Sequence, residues 1–196
     1  MNDKSFLEKE KERLCSQADI QKTELDELPI DSFRYKYMCF SNFSNHKVTY
    51  KGINYENSEA AFQAQKFEDE NVKQLFKSLD PSKAKALGRA KVIFLNPKGE
   101  YYKNKLPTNV GQRSSEFTKH YMRSDWDKIR VEEMYQIVKN KYEQNSYIKE
   151  VLLSTGEKEL IEGNTWGDKF WGKVDKTGLN YLGRILMQVR YELRNQ

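Results

Sequence analysis

Three short stretches of this chain carry residue types that can move a proton or hold a flat ring. The first is NSEAAFQAQKF, residues 57–67, in which Glu59, Phe62, Gln63 and Lys66 fall at i, i+3, i+4 and i+7. Helical spacing puts all four on one face. A carboxylate, a ring, an amide and an ammonium on one face can wall a pocket; a solvated helix with its opposite face buried would show the same letters. The second is WGDKFWG, residues 166–172, where two of the three tryptophans flank Asp168, itself followed by Lys169-Phe170. Gly167 lets backbone approach a ligand closely, and an aspartate boxed by Trp166 and its aromatic neighbours can have a shifted pKa. The third is CFSNFS, residues 39–44, in which Asn42 stands between Phe40 and Phe43. It reads equally as a turn with core phenylalanines. Glu59 and Asp168 are the acid–base candidates.

Other chemistries lack support. Gly167, Gly172 and Lys173 approach a phosphate-loop spacing, but Val174 stands where a magnesium-binding hydroxyl is needed and no apolar strand precedes the loop. The chain has no GxSxG and no GxGxxG. Cys15 and Cys39 match no zinc spacing, and His46 and His120 follow no HExxH pattern. No metal and no cofactor is expected.

The elements that must position these residues are mostly helical. VTYKGINY, with Val48, Tyr50, Ile53 and Tyr55 around Lys51-Gly52, reads as a β-hairpin. Ser58 is a good N-cap for the helix carrying Glu59. A second helix contains Val72, Leu75, Phe76 and Leu79, and Asp80-Pro81 starts a third, PSKAKALGRAKV. Asp125 caps a long helix through Glu143, buried along Trp126, Ile129, Met134, Ile137, Val138 and Tyr142. A short helix covers Tyr147–Leu153. Leu160-Ile161-Glu162 then leads into the tryptophan loop, and LNYLGRILMQVRYELR closes the chain. The fold class is α+β, a mainly α-helical single domain with a small β-hairpin element.

Composition bounds the partners. The 196 residues are 37% hydrophobic and 13% aromatic, enough for a core, with a net charge of +5. Residues 1–29 read as a charged leader, helical or disordered, with net −3; residues 30–196 form the domain and carry +8. A globular part this basic suits anionic partners such as phosphates or nucleic acid. Residues 96–124 read as a basic, partly irregular insertion, with six Lys/Arg against two Asp/Glu. No run reaches the roughly 20 apolar residues of a membrane span, and the charged N-terminus lacks a signal peptide's apolar core. A cytoplasmic location is expected.

These stretches together resemble the NADAR, or YbiA-like, family. The likeness runs through FSNF (40–43), GINYENSEAAFQAQKF (52–67), Gly88-Arg89, Asp125-Trp126, WGD (166–168) and GLNYLGRILMQVR (178–190). It implies an N-glycosidase acting on a phosphorylated ribosyl substrate: either ADP-ribose on guanine or an early ribosylated pyrimidine intermediate of riboflavin biosynthesis. It implies a pocket built from Phe40, Asn42, Phe43, Glu59, Lys66, Arg89, Trp126, Trp166, Asp168 and Asn180. Within it, Glu59 or Asp168 stabilises the sugar cation, Arg89 takes phosphate, and Trp126 and Phe43 stack on ribose or base. Lys66 offers a covalent alternative through an imine, against which a nearby ionised glutamate would raise its pKa. The basic segment 96–124 is expected to border the pocket mouth and to favour a nucleic-acid-linked substrate. A non-catalytic ADP-ribose or nucleotide-binding module is the competing class.

Overall fold

A computed structural model describes residues 28–102 and 117–196. Residues 1–27 of the expected charged leader, and Lys103, Lys105 and Arg113 of the basic segment, lie outside the described residues. The chain enters through Ile30, which is buried and bridges to Leu160, and then makes a 3-10 turn at Tyr35–Phe40. Strands β1 (Val48–Tyr50) and β2 (Ile53–Tyr55) form the expected hairpin, pairing Val48 with Tyr55 and Tyr50 with Ile53. Lys51 and Gly52 both take positive φ, 47° and 79°. That is the left-handed pair a two-residue hairpin needs to match strand twist.

Helix α1 (Ser58–Ala64) follows, and here the cap differs from expectation. Asn57, not Ser58, is the N-cap: its side chain accepts from the Ala60 N–H at 2.8 Å, while Ser58 is the first helical residue and fully buried. Asn57 also donates to Leu79 O at 2.9 Å, tying the cap to the next helical unit. Helices α2 (Glu70–Phe76) and α3 (Pro81–Leu87) pack against α1, with Asp69 and Asp80 as side-chain caps.

Beyond Gly88 the structure departs from the helix drawn through Val92. Val92–Leu95 is a strand, β3, at the centre of a three-stranded antiparallel sheet with β4 (Tyr101–Tyr102) and β5 (Thr118–Tyr121). The described ends of the segment 96–124 are therefore ordered by ladder pairing. The β-branched, apolar run Val-Ile-Phe-Leu favours a strand, and its buried Ile93 and Leu95 face the core.

Helix α4 (Trp126–Glu143) is the spine of the molecule. It packs on α1, on the hairpin, on α5 (Ser146–Leu153) and on α6 (Tyr181–Arg194). Asp125 stands at its N-cap position, but its carboxylate is engaged by the Arg123 guanidinium at 2.6 and 2.8 Å and caps nothing. Leu182, Ile185, Leu186, Val189 and Leu193 of α6 are buried on one face, following the apolar period. Among the described residues, seven helices, counting the 3-10 turn, and two small antiparallel sheets make this an α+β fold with helix dominant. Among the described residues no helix is long and apolar enough to cross a membrane.

Candidate active site

Three segments distant in sequence meet around one cavity of about 450 Å³. The first wall is the segment Ser41–Phe43, joined to α1 by a bond from the Glu59 N–H to the Asn42 carbonyl at 3.1 Å. The second is the α1 face carrying Glu59, Phe62 and Gln63. All of α1 is buried, so the solvated-face reading does not hold. The third is the loop from Glu162 to Trp171. Arg34 and Lys85 supply positive charge to the lining.

The loop is held by its own polar side chains. Asn164 Nδ2 donates to the Asp168 carbonyl at 2.7 Å, and its Oδ1 accepts from the Asp168 N–H at 3.0 Å. Asp168 Oδ1 in turn accepts from the N–H groups of Phe170 and Trp171, at 3.0 and 2.9 Å. One oxygen of this carboxylate is thus spent on shaping the loop. Asn180, with a left-handed φ of 52°, accepts from the Glu162 N–H at 3.0 Å and donates to Leu160 O at 2.9 Å. Gly183 lets α6 come this close, because a Cβ there would collide with Leu160 O and the Asn180 amide.

Three carboxylates face the cavity: Glu59, Asp168 and Glu162. Burial raises the Glu59 pKa, against the lowering effect of a hydrogen bond from Gln63 Nε2 (2.8 Å) and of the Lys85 and Lys66 ammoniums. Burial, then the charges of Asp168 and Glu59, push Glu162 up to about 7. Asn42 Oδ1 and Gln63 Oε1 are buried, belong to lining residues and have no hydrogen-bond partner among the described groups. Buried acceptors left unpaired call for a donor from elsewhere. Bound sugar or base N–H and O–H groups would meet that need.

Of the residues singled out from sequence, Asn42, Phe43, Glu59, Gln63, Trp166 and Asp168 line the cavity. Phe43 and Trp166 are partly exposed, at 39% and 57%. The other six stand outside the lining. Phe40 is core, packed on Phe33 and Tyr37. Trp126 is buried beneath Phe62, ring centroids 5.0 Å apart. Arg89 is exposed beyond the end of α3; Lys85, one turn earlier, is the cation that reaches the cavity. Gly167 is exposed with φ +88°. Asn180 is buried and holds the Glu162 backbone. Lys66 lies two residues past α1, donating to the Gly88 carbonyl at 2.8 Å with its ammonium 5.9 Å from the Trp126 ring centre. Burial lowers its pKa and outweighs the raising effect of Glu59, the reverse of the sequence expectation. The described residues of 96–124 contribute nothing to the lining.

Sequence reasoning missed Glu162, Lys85 and Arg34. The only local signal for Glu162 was an acid directly after the apolar pair Leu160-Ile161 and before Gly163. Its carboxylate neighbours come from tertiary packing.

Comparison with known proteins agrees with the fold. The NADAR domain profile matches residues 31–194. An N-glycosidase of Nostoc punctiforme is 33% identical over 164 residues, covering 81% of this chain and 87% of the relative. A riboflavin biosynthesis protein of Vibrio vulnificus is 35% identical over 156 residues, covering 79% of this chain but 35% of that larger protein. The NMR structure of Escherichia coli YbiA, named an N-glycosidase, superposes with a TM-score of 0.62 at 27% identity, covering 85% of this chain and 86% of YbiA. The chain belongs to the NADAR family. It is an N-glycosidase, a hydrolase.

Proposed function

We propose that this enzyme hydrolyses the bond between C1′ of a phosphorylated ribose and a nitrogenous base within the Glu59–Glu162–Asp168 cavity. The observation that carries the reading is the convergence of these carboxylates in one lining with two acceptors unpaired among the described residues, Asn42 Oδ1 and Gln63 Oε1. Cleavage leaves the bonding pair on the base and positive charge on the ribose, so the gain lies in stabilising both where they develop. Glu162, titrating near neutrality between two like charges, gives its proton to the departing base nitrogen. Glu59, supported by the Gln63 amide and two ammoniums, faces the sugar cation and takes a proton from the water that adds to C1′. Asp168 acts through its charge, which raises both glutamates, and through the loop it shapes. Lys85 and Arg34 take the phosphate, and Phe43 and Trp166 hold the base at the rim.

Two substrate classes fit this chemistry. The Vibrio relative's name supports a ribosylated pyrimidine of riboflavin biosynthesis. A second cleft of about 780 Å³ shares Arg34 with the cavity and supports a longer substrate, ADP-ribose on guanine. Incubation with a ribosylaminopyrimidine phosphate and with ADP-ribosylated guanosine, followed by chromatography of released base, tests both. Release from neither would sink the reading.

Lys66 offers a second route: burial lowers its pKa, and on this route the deprotonated amine leaves the Gly88 carbonyl and turns into the cavity. Its free amine attacks C1 of the opened ribose, the base leaves with a proton, and water hydrolyses the resulting imine. Borohydride during turnover should then leave a ribosyl adduct on Lys66. Full activity of Lys66→Met would remove this route.

A further inference from the structure

The helix α4 contains a lysine that the chemistry above does not use and that burial makes costly. Lys141 is 1% exposed. Its ammonium donates to Cys39 O at 2.6 Å, to Ser44 Oγ at 2.8 Å and to Ser41 O at 3.0 Å. Three donors meet three acceptors, all on one short stretch of chain. The neighbouring Tyr142 hydroxyl adds a fourth bond, to Cys39 O at 3.0 Å. Among the described residues no carboxylate shares the site: the titratable groups around it are the Cys39 thiol, His46 and the Tyr142 phenol. An ammonium buried without a counter-charge destabilises a fold, and an apolar side chain of similar volume is often the more stable choice. Costly groups persist where they serve a site.

The clamped stretch is the first wall of the cavity. It supplies Ser41, Asn42 and Phe43 to the lining. From it the Asn42 carbonyl receives the Glu59 N–H, and the Asn42 amide donates to Met134 Sδ at 3.1 Å, leaving Asn42 Oδ1 without a partner among the described residues. We propose that Lys141 is a positioning residue, whose ammonium holds residues 39–44 so that Asn42 and Phe43 stand in register with Glu59. It acts through that wall and does not itself line the cavity. The catalytic part of this proposal rests on the glycosidase reading above; the structural part does not.

The protonation state gives the clamp a signature. Burial lowers the Lys141 pKa to about 7. The neutral amine has two N–H groups for the two carbonyls and keeps Ser44 only by accepting from its hydroxyl, so the charge-assisted grip on the wall weakens as pH rises through that value. Arginine stays charged throughout. Hydrogen exchange on the full chain reads this directly, with the Ser44 and Glu59 amides as reporters, since they donate to Ser41 O and Asn42 O, and Val189 of α6 as control. In Lys141→Met the reporters should exchange about tenfold faster relative to Val189, and Lys141→Arg should restore them to within about threefold. Between pH 6 and 9 the wild-type reporters should gain an acceleration beyond intrinsic base catalysis, with its midpoint near 7. Lys141→Arg should lack it. If Lys141→Met does not fold, the pH comparison of wild type with Lys141→Arg decides alone. Reporters that follow Val189 in every variant, or that Lys141→Arg does not restore, would overturn the proposal. Release of base from the riboside phosphate should fall about tenfold in Lys141→Met and recover in Lys141→Arg. Undiminished release alongside loosened reporters would overturn the positioning role. A wild type that releases no base from either substrate would instead defeat the glycosidase reading, with the exchange result still standing.

Discussion

At the scale of single residues, the three cavity carboxylates differ in what surrounds them, and the proposed division of work rests on that difference. Glu162→Gln removes the proposed proton donor, so base release should fall by roughly 10²-fold or more, and the alkaline limb of the kcat profile near pH 7 should vanish. The same substitution should stabilise the fold. Glu162 has a raised pKa in the native state, so from about 4.5 to about 7 the native chain binds more protons than the unfolded one. Stability contributed by this group therefore falls as pH rises through that window, and the full cost is present above about 7. Thermal unfolding at pH 8 should show Glu162→Gln more stable than wild type by a few degrees, each kcal/mol being worth about 2–4 °C at this size. An unchanged melting temperature at pH 8 would contradict the buried placement. Gly88 makes a second residue-level test. A Cβ there would run into the Gln63 side chain, whose amide supports Glu59. Gly88→Ala should reduce turnover more than it reduces stability.

At the scale of elements, α1 is a short helix that carries the catalytic face fully buried, and short helices depend on their caps. Asn57→Ala loses both the bond to the Ala60 N–H and the tie to Leu79 O. It should cost about 1–2 kcal/mol in urea denaturation. The tryptophan loop offers a cleaner division between structure and charge. Asp168→Asn keeps an oxygen for the N–H groups of Phe170 and Trp171 but removes the negative charge that raises Glu162. It should fold normally and move the alkaline limb to lower pH. Asp168→Ala loses both, and the loop amides of Phe170 and Trp171 should exchange faster. Equal effects of the two substitutions on loop exchange would show that the carboxylate oxygen does not organise the loop.

At the scale of the whole molecule, the positive charge concentrates after residue 29, a distribution that suits the anionic substrate proposed above. If the substrate is joined to a nucleic-acid strand, cleavage should weaken steeply as salt rises. Neutralising Lys103, Lys105 and Arg113 should then slow cleavage of modified oligonucleotides more than that of modified mononucleosides. Equal rates on both substrates across 50–300 mM salt, roughly the range over which phosphate contacts are lost, would confine recognition to the cavity.

The local features were legible from sequence because their causes lie within a few residues. The i, i+3, i+4 face of α1, the Asp80-Pro81 start, the Lys51-Gly52 turn and the apolar stripe of α6 each follow from backbone geometry and side-chain type. The NADAR likeness was legible in the same way, through contiguous motifs. What only the tertiary structure decided is which polar groups lose their water together. Glu162 became a cavity carboxylate because Asn180 and Gly183 of the last segment hold its backbone beside the Glu59 cavity. Lys141, on a helix that reads as ordinary, became a buried clamp because the Cys39–Ser44 stretch folds over it. Val92–Leu95 became a strand because Thr118–Tyr121, far along the chain, pairs with it. Desolvation and long-range pairing are properties of the packed chain, and neither burial nor pKa is written in the spacing of letters.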